Sequence, residues 1–303
     1  MAEESFSLPA FAKINLNLRV LGKRGDGFHE ICTVFQTVSL CDRLTFSGGD
    51  GIRLTCSDAN VPTDESNLIV RAANLLREKF NIGPGARIHL EKRIPSPGGL
   101  GGGSSDGAVA LAGLARLWHL PLRLSDLIPL GRILGSDVPF FFFGGTALGT
   151  GRGTEVFPLD DVVENHLLIV TPGVDVPTPQ AFRLLGAPHL TNKDSKSILQ
   201  ICRFEARALN LRQSDLVNDF EKAVFQIEPE IGRVRERLFR LGARRALMSG
   251  SGASVFAVFD SKEKLQDAFD DLQNEPDWRK FRVKTVPRRD YLGSLNLIEG
   301  LLH

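Results

Sequence analysis

The sequence predicts an α+β protein built as two domains, residues 1–160 and 161–303. Strand and helix patterns are mixed along the chain without the regular strand–helix–strand alternation of a doubly wound sheet. The length of 303 residues suits two domains and is ample for a proper core. Segment 145–159 reads as strand, turn and strand, and a fresh strand at His166–Thr171 then runs into Pro172, Pro177 and Pro179, which places the boundary near residue 160.

The elements follow from periodicity. Ile14, Leu16, Leu18 and Val20 alternate with Asn15, Asn17, Arg19 and Leu21, a half-buried strand that Gly25-Asp26-Gly27 ends. A second strand covers 33–40, and short strands recur at 43–47, 52–56 and 86–91. Leu68, Ala72, Leu75, Leu76 and Lys79 share helical spacing, giving a helix from Asn67 to Phe80 with start signals in 64–66. Further helices are predicted after the glycine-rich run, at 125–134, and at 179–186, 195–209, 214–225 and 228–241. Strands at 244–249 and 254–259, a helix at 262–274 and a strand at 281–286 complete the chain.

Bulk properties exclude several classes. Apolar content of 42%, charged content of 24% and a net charge of +1 are ordinary globular values that supply no global field for nucleic acid or an anionic membrane. The first residues, MAEESFSLPAF, lack the basic and apolar regions of a secretory signal, and the apolar run 138–143 is too short to span a bilayer. Cys32, Cys41, Cys56 and Cys202 show no C-x-x-C spacing and read as core residues of a cytoplasmic protein. Nothing in the composition sets an oligomeric state.

The most informative stretch is 97–107: Pro97, Gly98, Gly99, Leu100, Gly101, Gly102, Gly103, Ser104, Ser105, Asp106 and Gly107. A helical stripe of Ala108, Leu111, Ala112 and Ala115 follows, with Ser104, Ser105 and Asp106 where its N-cap belongs. A glycine loop feeding a helix offers unpaired N–H groups and a positive dipole end to an anion, most often phosphate. Such runs also serve as linkers and tight turns, and neither a Walker A pattern nor a strict G-x-G-x-x-G is present. Three further segments carry chemistry-capable residues, each with a bland alternative. Lys13 in Ala12-Lys13-Ile14-Asn15 stands at a strand start, where a lysine is usually a solvated charge. Asp137 in Gly135-Ser136-Asp137-Val138-Pro139 precedes Phe140–Phe143 and alone reads as a turn residue. The small-residue loop 248–254 alone reads as a hairpin.

Together, A-K-I-N-L-N-L, P-G-G-L-G-G-G-S-S-D, G-S-D-V-P-F-F and M-S-G-S-G-A-S-V-F resemble the motifs of the GHMP kinase superfamily. Segments 22–30, 67–73, 144–153 and 218–221 narrow the resemblance to its members that phosphorylate 4-(cytidine 5'-diphospho)-2-C-methyl-D-erythritol. The resemblance implies an N-terminal α/β domain of the ribosomal protein S5 domain 2-like type, a ferredoxin-like C-terminal domain, and an active site between them. It implies transfer of the ATP γ-phosphoryl group to the 2-hydroxyl of that acceptor, a step of non-mevalonate isoprenoid synthesis. Asp137 is then the candidate base and Lys13 its charge partner and hydroxyl polariser. Residues Pro97 to Gly103 with Ser104 and Ser105 would cradle ATP phosphates. Phe28 and Phe182 would sandwich cytosine, His29 would read its edge, and Asn15 and Thr178 would add polar contacts. Mg²⁺ is expected with ATP, Ser105 being the candidate ligand and Asp106 acting through water. The resemblance also marks departures: Phe28 replaces a usual tyrosine, Pro97 a small residue, and Gly107 an alanine, which loosens the helix. The alternatives are a kinase of the same superfamily acting on homoserine, mevalonate or a sugar, and a catalytically dead nucleotide-binding regulator.

Overall fold

The structure is a computed structural model that describes residues 5–187 and 215–295, with Gln200, Phe204 and Ala206 between them. The chain opens with two long antiparallel strands, β1 (Phe6–Lys23) and β2 (His29–Gly49). The sequence suggested shorter pieces because three register shifts interrupt the alternation of β1 without ending its pairing. Strands β3 (Ile52–Cys56), β4 (Gly85–Glu91), β5 (Thr146–Thr150) and β6 (Glu155–Pro158) complete a six-stranded sheet in the order β3-β4-β2-β5-β6, with β1 on β2.

Helices α1 (Leu68–Phe80), α2 (Gly102–Leu117) and α3 (Leu124–Leu134) pack with this sheet around one core, joined by the buried 3₁₀ turn Val138–Phe142. Asn67 caps α1 by accepting the Ile69 N–H at 2.9 Å. In α2 every residue from Ser105 to Ala115 is buried, Leu111 and Leu114 completely. Each such leucine contributes about 1.5–3 kcal/mol of hydrophobic stabilisation. Gly107 has a packing reason: a Cβ there would lie 3.1 Å from Leu68 Cβ, so the departure that weakens α2 locally lets α1 approach.

The second sheet is antiparallel and four-stranded: β7 (Leu167–Thr171), β8 (Arg245–Met248), β9 (Val255–Val258) and β10 (Arg279–Val283). Its order, β10-β7-β9-β8, is the 4-1-3-2 arrangement of a ferredoxin-like sheet. Helices α4 (Thr178–Leu185), α5 (Glu221–Ile227), α6 (Pro229–Arg240) and α7 (Lys262–Asp271) flank it. The helix expected at 195–209 lies almost wholly outside the described residues, as does Cys202. Cys32 is buried, but Cys41, on the central strand β2, and Cys56, at the end of the edge strand β3, are partly exposed rather than core residues.

A helix not foreseen, α8 (Arg288–Ser294), returns the chain to the first core. Its Tyr291 is fully buried, donates its hydroxyl to Phe141 O at 2.5 Å, and lies so close to Gly144 (φ +60°) that a Cβ there would be 2.1 Å from the ring. Burial pushes the Tyr291 phenol up, so it stays protonated.

Candidate active site

Lys13 is not at a strand entrance. It stands in mid-β1 between two register shifts, Phe11/Lys13 and Asn15/Asn17, and shares one strand face with Asn15, both side chains buried. Only 3% exposed, its Nζ donates to Asn15 Oδ1 at 2.6 Å and Gly99 O at 3.0 Å, and lies 3.4 Å from Asp137 Oδ2. Asn15 is held in turn, its Nδ2 donating to Thr33 Oγ1 at 2.7 Å. A buried ammonium needs such partners, because burial of an unpaired charge is costly.

Asp137 closes the turn after α3. The apolar residues that follow it, Val138 to Phe142, are buried and anchor the turn, while the Asp137 side chain remains 32% exposed. The carboxylate therefore faces solvent on one side and Lys13 on the other.

The glycine run divides by function. Ser104, Ser105 and Asp106 do not cap α2: the helix begins at Gly102, and Gly101, left-handed at φ +69°, is its N-cap. The first-turn N–H groups of Gly102, Gly103 and Ser104 thus have no acceptor within the helix, whereas Ser105 N–H is taken by Gly101 O at 2.8 Å. Gly98 and Gly99 instead seat the second small-residue loop. Gly98 O accepts from Ser254 N–H at 3.1 Å, Gly99 O accepts from Ser249 Oγ at 2.9 Å, and a Cβ on Gly99 would be 2.1 Å from Ser249 O. A Cβ on Gly103 would meet nothing within 4 Å. Pro97, Gly99 and Gly101 line the cleft.

Behind the run lies a buried ionic cluster the sequence did not reveal. Lys92 Nζ is 2.5 Å from Asp42 Oδ2 and 3.0 Å from Asp106 Oδ2. Burial pushes the Asp106 carboxyl up to about 7, with Lys92 pulling against that rise and Asp42 adding to it. Asp106 is therefore committed to Lys92 and is absent from the cleft lining. Ser105 Oγ is also enclosed, with no hydrogen-bond partner.

The second loop has its own supports. A helix over 214–225 was expected, but the backbone is non-helical from Asp215 to Phe220 and α5 starts at Glu221. Asn218 explains why: its Nδ2 donates to Met248 O at 2.7 Å and Gly250 O at 2.8 Å, and its Oδ1 accepts Phe220 N–H at 3.0 Å. Glu221 Oε1 accepts Met248 N–H at 2.8 Å. Only the short N-D-F-E match at 218–221 hinted at these roles.

These parts enclose a two-lobed cleft. The inner lobe, about 260 Å³, is lined by Lys13, Asn15, Asp137, the glycine run and Gly250–Gly252. The outer lobe, about 660 Å³, is lined by Phe28, His29, Thr178, Phe182 and Arg152 among others. The expected sandwich of Phe28 and Phe182 is not how these rings pair here. Phe182 stacks on His29 at 4.6 Å and meets Phe220 edge-on at 4.8 Å. Phe28 is 48% exposed and carries the Arg152 guanidinium 3.4 Å from its ring centroid. Burial, with Lys23 nearby, holds the His29 imidazole below its ordinary value, so it is neutral at neutral pH. Thr178 Oγ1 lies 2.8 Å from Ser251 Oγ and ties the lobes together.

Comparison with known proteins decides the family. The GHMP kinases N terminal domain matches residues 67–145 and the GHMP kinases C terminal domain matches 204–277. A 4-diphosphocytidyl-2-C-methyl-D-erythritol kinase of Solibacter usitatus (strain Ellin6076) is 41% identical over 94% of this chain and 90% of its own length. The chain belongs to this kinase family. A crystal structure of 4-(cytidine 5'-diphospho)-2C-methyl-D-erythritol kinase agrees with it at a TM-score of 0.75 and 35% identity, covering 92% of this chain and 99% of that one. A homoserine kinase from Cytophaga hutchinsonii, at a TM-score of 0.70 and 22% identity, covers 95% and 96% and shares the fold. Among the described residues no helix is long and apolar enough to cross a membrane, and no group of three or more His, Cys, Asp or Glu is placed to hold a metal.

Proposed function

We propose that the cleft transfers the γ-phosphoryl group of ATP to the 2-hydroxyl of 4-(cytidine 5'-diphospho)-2-C-methyl-D-erythritol, a step of non-mevalonate isoprenoid synthesis. The observation that carries this reading is the continuity of the inner lobe, with Lys13 and Asp137, with an outer lobe walled by Phe28, His29 and Phe182. A base-sized aromatic lobe beside a lysine–aspartate pair suits a cytidine-tagged alcohol, whereas mevalonate, homoserine or a simple sugar has no base to place there.

In this reading Asp137 accepts the proton of the attacking hydroxyl. The hydroxyl oxygen then bonds to the γ-phosphorus as the bond to the ADP oxygen breaks. Lys13, already 3.4 Å from Asp137, pairs with the carboxylate and offers positive charge to the transferring group. The free first-turn amides of Gly102, Gly103 and Ser104 hold phosphate oxygens at the positive end of α2. His29 reads the base edge as a neutral ring, Phe28 and Phe182 supply aromatic faces, and Asn15 and Thr178 add polar contacts.

The residues fit Mg²⁺ carried in by ATP phosphates rather than held in a protein cage, since no carboxylate cluster is present among the described residues. Ser105 Oγ, buried without a partner at the start of α2 as Asp106 Oδ1 also is, would be the candidate protein ligand, and the metal would neutralise charge on the phosphates. An ATP-consuming enzyme with free cysteines fits the cytoplasm. The deciding experiment follows phosphorylation of the cytidine-bearing acceptor against homoserine, mevalonate and simple sugars. Turnover of the cytidine-bearing acceptor alone is expected, and preference for any other sinks the reading.

A further inference from the structure

Five residues line both lobes of the cleft: Ile31, Ser136, Arg152, Thr178 and Phe182. Arg152 is the one cation among them. Lys13 lines only the inner lobe, and Lys23 and Arg183 only the outer.

The acids near Arg152 are already engaged. Arg24 bonds both Asp26 and Glu30, Phe28 N–H takes Asp26 Oδ1 at 3.1 Å, and Gly151 N–H takes Glu30 Oε1 at 2.9 Å. Among the described residues no carboxylate forms an ion pair with Arg152. Its loop is nevertheless fixed: Ile31 N–H donates to Gly151 O at 2.8 Å, and Gly153 N–H to Thr150 O at 3.0 Å. The guanidinium is thus placed by its backbone and by the Phe28 ring, with the Asp26 carboxylate near enough to feel its charge but bonded instead to Arg24 and Phe28 N–H. A guanidinium resting on an aromatic face keeps its in-plane N–H donors free, and that fork matches phosphate oxygens.

The geometry points to Arg152 as the residue that binds the diphosphate bridge of the acceptor substrate. This rests on the proposed function: a ligand with its base in the outer lobe and its hydroxyl at Asp137 must pass its two phosphates through the junction where Arg152 stands. The same N–H fork would serve the phosphates of ATP, and the test separates the two sources.

Wild type, Arg152→Ala, Arg152→Gln and Arg152→Lys are titrated with CDP and with cytidine, and KM is measured for both substrates. Arg152 is exposed, so its replacement leaves the core intact. Arg152→Ala and Arg152→Gln are expected to weaken CDP binding about 10- to 100-fold while cytidine changes by less than about twofold, with Arg152→Lys between. KM for the cytidine-bearing substrate should rise in parallel, and KM for ATP should not. Equal losses for CDP and cytidine would make Arg152 a prop for Phe28 and overturn the inference. So would unchanged CDP binding, or a KM increase confined to ATP. If wild type phosphorylates the acceptor but its CDP affinity ignores Arg152, only this inference falls; if wild type neither binds CDP nor uses the acceptor, the proposed function falls with it.

Discussion

Lys13 Nζ sits 3.4 Å from Asp137 Oδ2 while donating at 2.6 Å to Asn15 Oδ1, so one buried ammonium joins a strand, the glycine loop and the turn after α3. Its reach across three segments makes the pair a single unit. Asp137→Asn should therefore keep nucleotide affinity and lower kcat by about 10²- to 10⁴-fold, the usual worth of a positioned general base. Near-normal kcat in that variant would remove Asp137 from the role.

Because the two side chains act together, their losses should not add. Lys13→Met is expected to cost about 10²-fold or more in kcat, the scale of a lost electrostatic stabiliser. The double variant Lys13→Met, Asp137→Asn should fall little below the worse single variant. Full additivity in steady-state kinetics would show two independent contributions.

The glycine run offers a contrast between neighbours. Gly99→Ala places a Cβ 2.1 Å from Ser249 O, so a lower Tm and poorer turnover are expected together. Gly103→Ala meets no atom within 4 Å, so Tm should hold while KM for ATP rises as the methyl group intrudes on the phosphate. An unchanged KM for ATP in Gly103→Ala would argue against phosphate at that turn.

In the outer lobe, Phe182→Ala removes a stacking face worth about 1–3 kcal/mol per base, so KM for the cytidine-bearing substrate should rise by about 5- to 150-fold with kcat less affected. A kcat loss without a KM change would place Phe182 in the fold rather than in base recognition.

The pH dependence follows from His29. Its burial favours the neutral ring, so protonation sets in below the ordinary value of 6.5. Above that value KM for the acceptor should be flat with respect to this group, and it should climb as acid charges the ring. His29→Gln should abolish the acid-side rise. An inflection above 6.5 in wild type, or one that survives in His29→Gln, contradicts the assignment.

Much of the fold was legible because its signals are local. The alternation of Ile14 to Val20, the stripe of α2 and the breaker at 25–27 each lie within one window. Lys13 was placed at a strand start rather than in mid-strand because the alternation from Ile14 shows only part of β1, whose register shifts arise from pairing with β2. The capping role of Gly101 was hidden by the better-capping residues after it, which the helix absorbs instead. The Lys92–Asp42–Asp106 cluster joins residues 50 and 14 positions apart, and no spacing rule reaches that far. Phe182 facing His29 rather than Phe28 is likewise a fact of tertiary placement.

Tyr291 beneath Gly144 has a consequence for how the protein is made. The first sheet and its three helices are complete once β6 has been made, yet the wedge that fills their core is made only after the whole second sheet. A nascent chain halted after β6 would present an open socket beside Phe141, and its hydrophobic interior would wait for α8 to emerge from the ribosome. Cutting the gene at the apparent seam near residue 160 would therefore separate lock from key, not two self-sufficient pieces.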